Sequence, residues 1–302
     1  MSFSSDVKKE LCKAPLQKKC CALAESCGVL LYAGSFSLSE LRIMTESEDF
    51  ALRLPKLFKK AFSVSFDALP EDCSAKKLIF RITDQDKLSS VWKALGYDEQ
   101  QHFALHLNFA LLEEDHCRSA FLRGAFLAGG SVTDPGKRYH MEFATSHLQV
   151  GRETEALLRD MDFEPKSVLR GGSSVTYFKH SANIEELLTL IGAPSAAMEI
   201  MAAKVEKSMR NTVNRRVNCD SANLEKSVAA SFSQVEALTR LTESGVIRTL
   251  SAELQEVAVA RLLQPELSLS ELAETFDPPL TKSCINHRMR KLMSLAKEEK
   301  TT

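Results

Sequence analysis

A run of small and apolar residues occurs twice in this chain. Gly28-Val29-Leu30-Leu31-Tyr32-Ala33-Gly34-Ser35 returns as Gly124-Ala125-Phe126-Leu127-Ala128-Gly129-Gly130-Ser131, an offset of about 96 residues. Eight residues can match by chance, but the same offset carries the helical pattern at 54–62 onto 150–158, the alternating pattern at 78–82 onto 174–178, and 92–96 onto 188–192. Features in register at this period mark a duplication, and a duplicated unit folds so that its copies bury their apolar faces against each other. Each copy reads as a small-residue helix, a strand pair, an amphipathic helix, a second strand pair and a closing helix. In the second copy the strand pairs turn at Asp134-Pro135-Gly136 and at Gly171-Gly172, residue types that suit tight turns. The plan is α+β, with antiparallel sheets and helices on one face. Glycine inside a helix costs about 1 kcal/mol relative to alanine, so Gly28 and Gly124 predict close backbone contact between the two equivalent helices.

The 302 residues, 44% of them hydrophobic, leave room for a second domain beyond the duplicated one. The early apolar stretch Val29-Leu30-Leu31-Tyr32-Ala33 is far shorter than the roughly 20 residues of a bilayer crossing. The start Met1-Ser2-Phe3-Ser4-Ser5-Asp6 reads as a capped helix rather than a secretory signal. The expectation is a cytoplasmic protein with no membrane contact. Eight cysteines are present but form no two C-x-x-C pairs, so reduced thiols are expected, with no metal and no cofactor. His102 and His106 at i, i+4, with His116 and Cys117 nearby, are the one zinc-like grouping, and a surface helix is its plainer reading. A net charge of −1 excludes the globally basic proteins that coat nucleic acid, so contact with DNA must come from local basic patches.

Two such patches exist. In the first, Lys204, Lys207, Arg210, Arg215 and Arg216 are opposed by Glu206 alone. It leads into 210–223, a stretch crowded with Asn, Ser and Asp, which bond to nearby backbone and break helices. Residues 205–222 therefore read as the connection between domains. They are either a solvated linker or an ordered segment whose Arg210, Arg215 and Arg216 meet DNA phosphates. From Asn223 onward only helices are expected: one ending at Gly245, one at about 251–263, and then a helix, short turn and longer helix. Ser268-Leu269-Ser270-Glu271 fits a capping box, Asp277-Pro278-Pro279 is a break, and Thr281 can cap the last helix.

That last helix carries the second patch. Lys282, Arg288, Arg290, Lys291 and Lys297 run without an acid between them. Ile285, Met289, Leu292 and Ala296 share the stripe that faces a core. Ser283, Asn286, His287, Arg290 and Lys291 lie opposite. In a helix-turn-helix such residues reach base edges in the major groove, where Asn pairs with adenine and Arg with guanine. Lys282, Arg288 and Lys297 suit phosphates. The plainer reading is an exposed helix face.

Leu122-Arg123-Gly124-Ala125-Phe126-Leu127-Ala128-Gly129-Gly130 resembles a degenerate LAGLIDADG motif, whose two copies pack helix on helix above a DNA-saddling sheet. In homing endonucleases with that motif, an acid at the penultimate position of each copy holds a divalent metal. Here the matching positions are Ala33 and Gly129. Neither can bind a metal, so the resemblance implies no catalytic residues and no enzyme activity; Glu25 and Asp134 are the nearest substitutes. The first copy keeps little beyond its glycines. The stretch 210–223 is similar to a signature of the WhiA family, and 269–292 resembles the C-terminal helix-turn-helix of that family, itself similar to the promoter-reading region 4 of sigma factors. The resemblance implies 1–204 as a duplicated LAGLIDADG-like domain (halves about 15–100 and 112–200) and 223–302 as the helix-turn-helix domain. It also implies a Gram-positive transcription regulator of sporulation or cell division. The implied partner is double-stranded DNA; the alternative reading is an interaction module that recruits another regulator, a sigma factor or RNA polymerase through the duplicated domain.

Overall fold

Ser2 opens the chain as a helix cap, its hydroxyl accepting from the Ser5 N–H, and α1 spans Phe3–Leu11. The computed structural model describes residues 2–70, 77–97 and 105–299. Two units divide the chain, Met1–Lys207 and Ser208–Thr302.

In the first unit the repeat appears as two similar successions of elements. The first half holds α2 (Lys19–Tyr32), β1 (Ser35–Phe36), β2 (Leu41–Thr45), α3 (Glu48–Phe62), β3 (Leu78–Ile82) and α4 (Gln85–Ala94). The second holds α5 (Asp115–Gly129), β4 (Gly130–Val132), β5 (Met141–Thr145), α6 (Leu148–Asp160), β6 (Lys166–Arg170), β7 (Ser173–Phe178) and α7 (Ser181–Ile191). Both sheets are antiparallel, ordered β1-β2-β3 and β4-β5-β7-β6. Gly171 and Gly172, both at positive φ, turn β6 into β7; two such residues form the hairpin turn that matches strand twist. The halves differ at the second strand pair. β3 pairs fully with β2, but among the described residues the counterpart of β6 on its other edge is reduced to a bridge between Ala68 and Arg81. The run Val64-Ser65-Phe66-Asp67-Ala68 alternates as a strand would, but Pro70 follows it closely and has no N–H to extend a ladder.

The strands alternate as the period of two requires: Met141, Phe143 and Thr145 of β5 are buried while Glu142 is not. The helix pair α2–α5 forms the most extensive helix contact of the unit. Its glycines interlock reciprocally. A Cβ on Gly28 would collide with the Phe121 carbonyl and lie 2.7 Å from the Ala125 nitrogen; one on Gly124 would collide with the Glu25 carbonyl and lie 3.1 Å from the Val29 nitrogen. The close approach expected from the repeat is therefore present.

One helix, α8, runs without interruption over Pro194–Glu243. This corrects the expectation that 205–222 breaks the helix. Asn, Ser and Asp lower helix propensity by less than about 1 kcal/mol each, whereas glycine and proline lower it by about 1 and about 3. Neither glycine nor proline occurs between Pro194 and Gly245. The first turn of α8 is anchored by Glu10, whose carboxylate accepts from the Ser195 and Ala196 N–H groups at 2.8 and 3.1 Å. These are the donors that a helix start leaves unpaired.

In the second unit α8 ends, a short 3-10 turn follows at Val246–Thr249, and α9 (Ala252–Leu263), α10 (Leu269–Glu274) and α11 (Lys282–Glu299) complete the chain. They enclose their own core of Ala237, Leu238, Leu241, Leu254, Val257, Leu272, Ile285, Met289 and Leu292. Among the described residues no helix is long and apolar enough to cross a membrane.

Candidate nucleic-acid interface

The α10–α11 pair is set by local chemistry that the sequence carries openly. Ser268 caps α10 by accepting from the Glu271 N–H at 3.3 Å, while the Glu271 carboxylate accepts from the Ser268 N–H at 2.8 Å. Those bonds favour the charged form and hold the Glu271 carboxyl below its usual range. Thr281 caps α11, accepting from the Cys284 N–H at 3.2 Å. Ile285, Met289, Leu292 and Ala296 are all buried, which fixes the rotation of α11 against α9 and α10. Arg261 of α9 braces the turn between α9 and α10: it is buried and donates to the Leu267 carbonyl at 2.6 Å.

With that rotation fixed, Lys282, Ser283, His287, Arg290 and Lys291 are exposed and Asn286 is half-buried. The first turn of α11 contains no acid, so the positive end of the helix dipole and Lys282 act together on any anion placed there. Lys282, Arg290 and Lys291 form no ion pair among the described residues. Arg288 differs from its neighbours: its side chain is only 18% exposed and pairs with Glu253 of α9 at 2.9 Å. A phosphate would have to compete with that carboxylate, a constraint that sequence spacing could not display.

The first basic patch is only partly available. Lys204 pairs with Glu185 at 3.5 Å. Lys207 donates to the Pro135 carbonyl at 2.6 Å and sits over the Tyr139 ring. Arg210, Arg215 and Arg216 lie in α8 with exposed side chains. On the larger sheet, Glu142 pairs with Arg170 at 3.0 Å and lies 3.1 Å from the His140 Nε2, so Arg170 already faces a carboxylate.

The positions that would carry cleavage chemistry do not fit a divalent metal. Ala33 is the buried C-cap of α2. Gly129 ends α5 against the Ala144 carbonyl and the Tyr32 ring, where even a Cβ would collide. Glu25 and Asp134, the substitutes that the sequence offers, are already engaged. Glu25 is 1% exposed and held by Arg53 through two bonds of 2.6 and 2.9 Å, with Arg123 at 3.7 Å. Asp134 accepts from the Gly136 N–H in its turn. Of the zinc-like histidines, His102 lies outside the described residues, and His106 is in an irregular segment packed on the Tyr97 ring rather than on a helix. The grouping of His106 with His116 and Cys117 is thus corrected; the latter two lie in the first turn of α5.

Comparison with known proteins agrees with this organisation. Residues 118–210 match the WhiA LAGLIDADG-like domain and residues 213–296 the WhiA C-terminal HTH domain. Among curated relatives, the probable cell division protein WhiA of Alkaliphilus metalliredigens is 35% identical over 313 residues, covering 99% of each chain. That of Ruminiclostridium cellulolyticum is 36% identical over 307 residues, covering 98% of this chain and 97% of the relative. Among solved structures, full-length DUF199/WhiA from T. maritima shares the fold with a TM-score of 0.61 at 24% identity, over 99% of both chains. The N-terminal LAGLIDADG domain of DUF199/WhiA aligns with 63% of this chain and 92% of its own length, at a TM-score of 0.51 and 20% identity. Matched nearly end to end by these relatives, and carrying both domains in order, the chain belongs to the WhiA family.

Proposed function

We propose that this chain is a sequence-specific DNA-binding regulator of transcription that reads the major groove with α11 and does not cleave DNA. The observation that carries the proposal is the exposed, acid-free face of α11, held at a fixed rotation by four buried side chains and capped by Thr281. Arg290 and Asn286 are assigned to base edges, with Ser283, His287 and Lys291 beside them, because a helix in the major groove specifies sequence through such donors. Lys282 is assigned to phosphate, with Arg288 contributing when it leaves Glu253. Arg210, Arg215 and Arg216 on α8 are further candidates for the DNA backbone. A likeness of α10–α11 to promoter-reading sigma-factor helices belongs to the same proposal. The absence of cleavage is supported by the crowding at Gly129, the apolar Ala33 and the engagement of Glu25 by two arginines.

The relatives are named as probable cell division proteins, and the proposal takes genes of cell division as the targets and the cytoplasm as the site of action. Genomic fragments selected by the purified full chain test the proposal. The expected result is a shared sequence among the bound fragments, uncut in magnesium or manganese. Selection without sequence preference, or metal-dependent cutting by a clean preparation, would overturn it.

A further inference from the structure

Four side chains converge where α2 and α5 begin. Cys20 and Cys21 lie in the first turn of α2, His116 and Cys117 in the first turn of α5. One ligand atom from each lies within 4.8 Å of all the others. The His116 Nδ1 is 3.4 Å from the Cys21 Sγ and 3.2 Å from the Cys117 Sγ. All three cysteines are free thiols. Cys117 is buried, Cys21 and His116 are half-buried and Cys20 is exposed, so the group has a closed base and a mouth open to solvent.

The repeat explains why they meet. The offset that carries Gly28 onto Gly124 also carries Cys20 onto His116 and Cys21 onto Cys117. The pseudo-symmetric pairing that brings the glycines together therefore brings these two dipeptides together, each half contributing two donors. The two helix starts also turn their positive dipole ends toward this point, against burial, which pushes the Cys117 thiol up. Lys18 and Lys19 flank the group in sequence and offset the negative charge that three thiolates would bring.

We infer that Cys20, Cys21, His116 and Cys117 form a tetrahedral zinc site that clamps the two repeats together at the starts of α2 and α5. Three sulfurs and one imidazole are a donor set of structural zinc. Around zinc, with Zn–S bonds of about 2.3 Å, neighbouring sulfurs stand about 3.8 Å apart, a contraction that side-chain rotation can supply. The site is distinct from the lost cleavage centre. Ala33 and Gly129 sit at the opposite ends of the same two helices, about 20 Å away at the rise of an α-helix. No position is left open by four protein donors, so the role is structural rather than catalytic. Loading displaces thiol protons, so affinity rises with pH.

The test uses the full chain, purified under reducing and anaerobic conditions. The zinc content of the wild type and a cobalt(II) titration of the metal-free chain are measured first. About one metal per chain is expected, with the thiolate-to-cobalt charge-transfer absorption of a tetrahedral site. Cys20→Ser, at an exposed position, should lower that absorption by about a third and weaken binding by at least about tenfold, since even outer-shell changes have effects of that size. His116→Ala should weaken binding while keeping the three-thiolate absorption, and Cys219→Ser should match the wild type. Added zinc should raise the melting temperature of the metal-free wild type by about 5 °C or more. Three results would overturn the inference: substoichiometric metal in the wild type, a cobalt spectrum unchanged in Cys20→Ser, or a disulfide among these cysteines in the anaerobic preparation.

Discussion

Arg290 and Arg288 are two residues apart on one helix, yet their surroundings differ. Arg290 is exposed, whereas Arg288 is drawn onto Glu253. Replacing Arg290 or Asn286 with Ala should weaken operator binding by about 1–3 kcal/mol and relax preference at a few base pairs. Lys282→Ala should weaken all sequences alike and lower the salt slope by about one counterion. Titrations of operator and random DNA at several salt concentrations separate the two classes, and equal losses on both DNAs for Arg290→Ala would reject the base-edge assignment. The Arg288–Glu253 pair is largely open on the Glu253 side, so breaking it should change stability by no more than about 1 kcal/mol. Glu25 is the opposite case. It is buried between Arg53 and Arg123, so Glu25→Gln leaves buried cations uncompensated and should destabilise the first unit by about 3–5 kcal/mol. Urea unfolding of the variant reads that directly; an unchanged midpoint would mean that the pair is not buried in solution.

Among the elements, the α2–α5 crossing depends most narrowly on residue size. Each glycine faces the backbone of the opposite helix, which cannot rotate away as a side chain can. Gly28→Ala and Gly124→Ala should each destabilise by about 1–3 kcal/mol through overpacking. Gly34→Ala provides the contrast: its added methyl meets nothing within 4 Å, so its thermal midpoint should stay near that of the wild type. Equal midpoints for all three would disprove the close crossing. The same geometry bears on chemistry at Gly129. Gly129→Asp would return an acid to the motif position but force it against the Ala144 carbonyl and Tyr32, so the variant should lose stability and gain no metal-dependent cleavage in a plasmid-nicking assay.

At the scale of the whole molecule, each unit owns a separate apolar core, the first drawn from both repeats and the second from α8 to α11. A fragment of residues 208–302 should therefore fold alone, with cooperative helix loss on heating, and should keep the operator preference of the full chain. A non-cooperative melt, or sequence preference found instead in residues 2–207, would reverse the division of labour. Within α8 the fragment carries Arg210, Arg215 and Arg216 on an exposed helix. Alanine at Arg215 and Arg216 together should lower affinity for every sequence and reduce the salt slope by about two counterions.

The sequence by itself determined the features written in local spacing. The offset near 96 residues announced two equivalent units, the Ser268–Glu271 box and Thr281 marked two helix starts, and the period of Ile285, Met289, Leu292 and Ala296 set which face of α11 turns inward. Such signals are legible because capping and amphipathicity act over one or two helical turns. The helix across 205–222 was legible in principle, from the absence of glycine and proline, but composition in Asn and Ser pointed the other way. Only the tertiary structure decided what depends on residues far apart in the chain. Glu253 meets Arg288 across 35 positions, Glu25 meets Arg53 across 28, and Cys21 meets His116 across 95. Charge and ligand pairing act through space at a few ångströms, and no local pattern reports which distant side chain the folded backbone will bring within that reach.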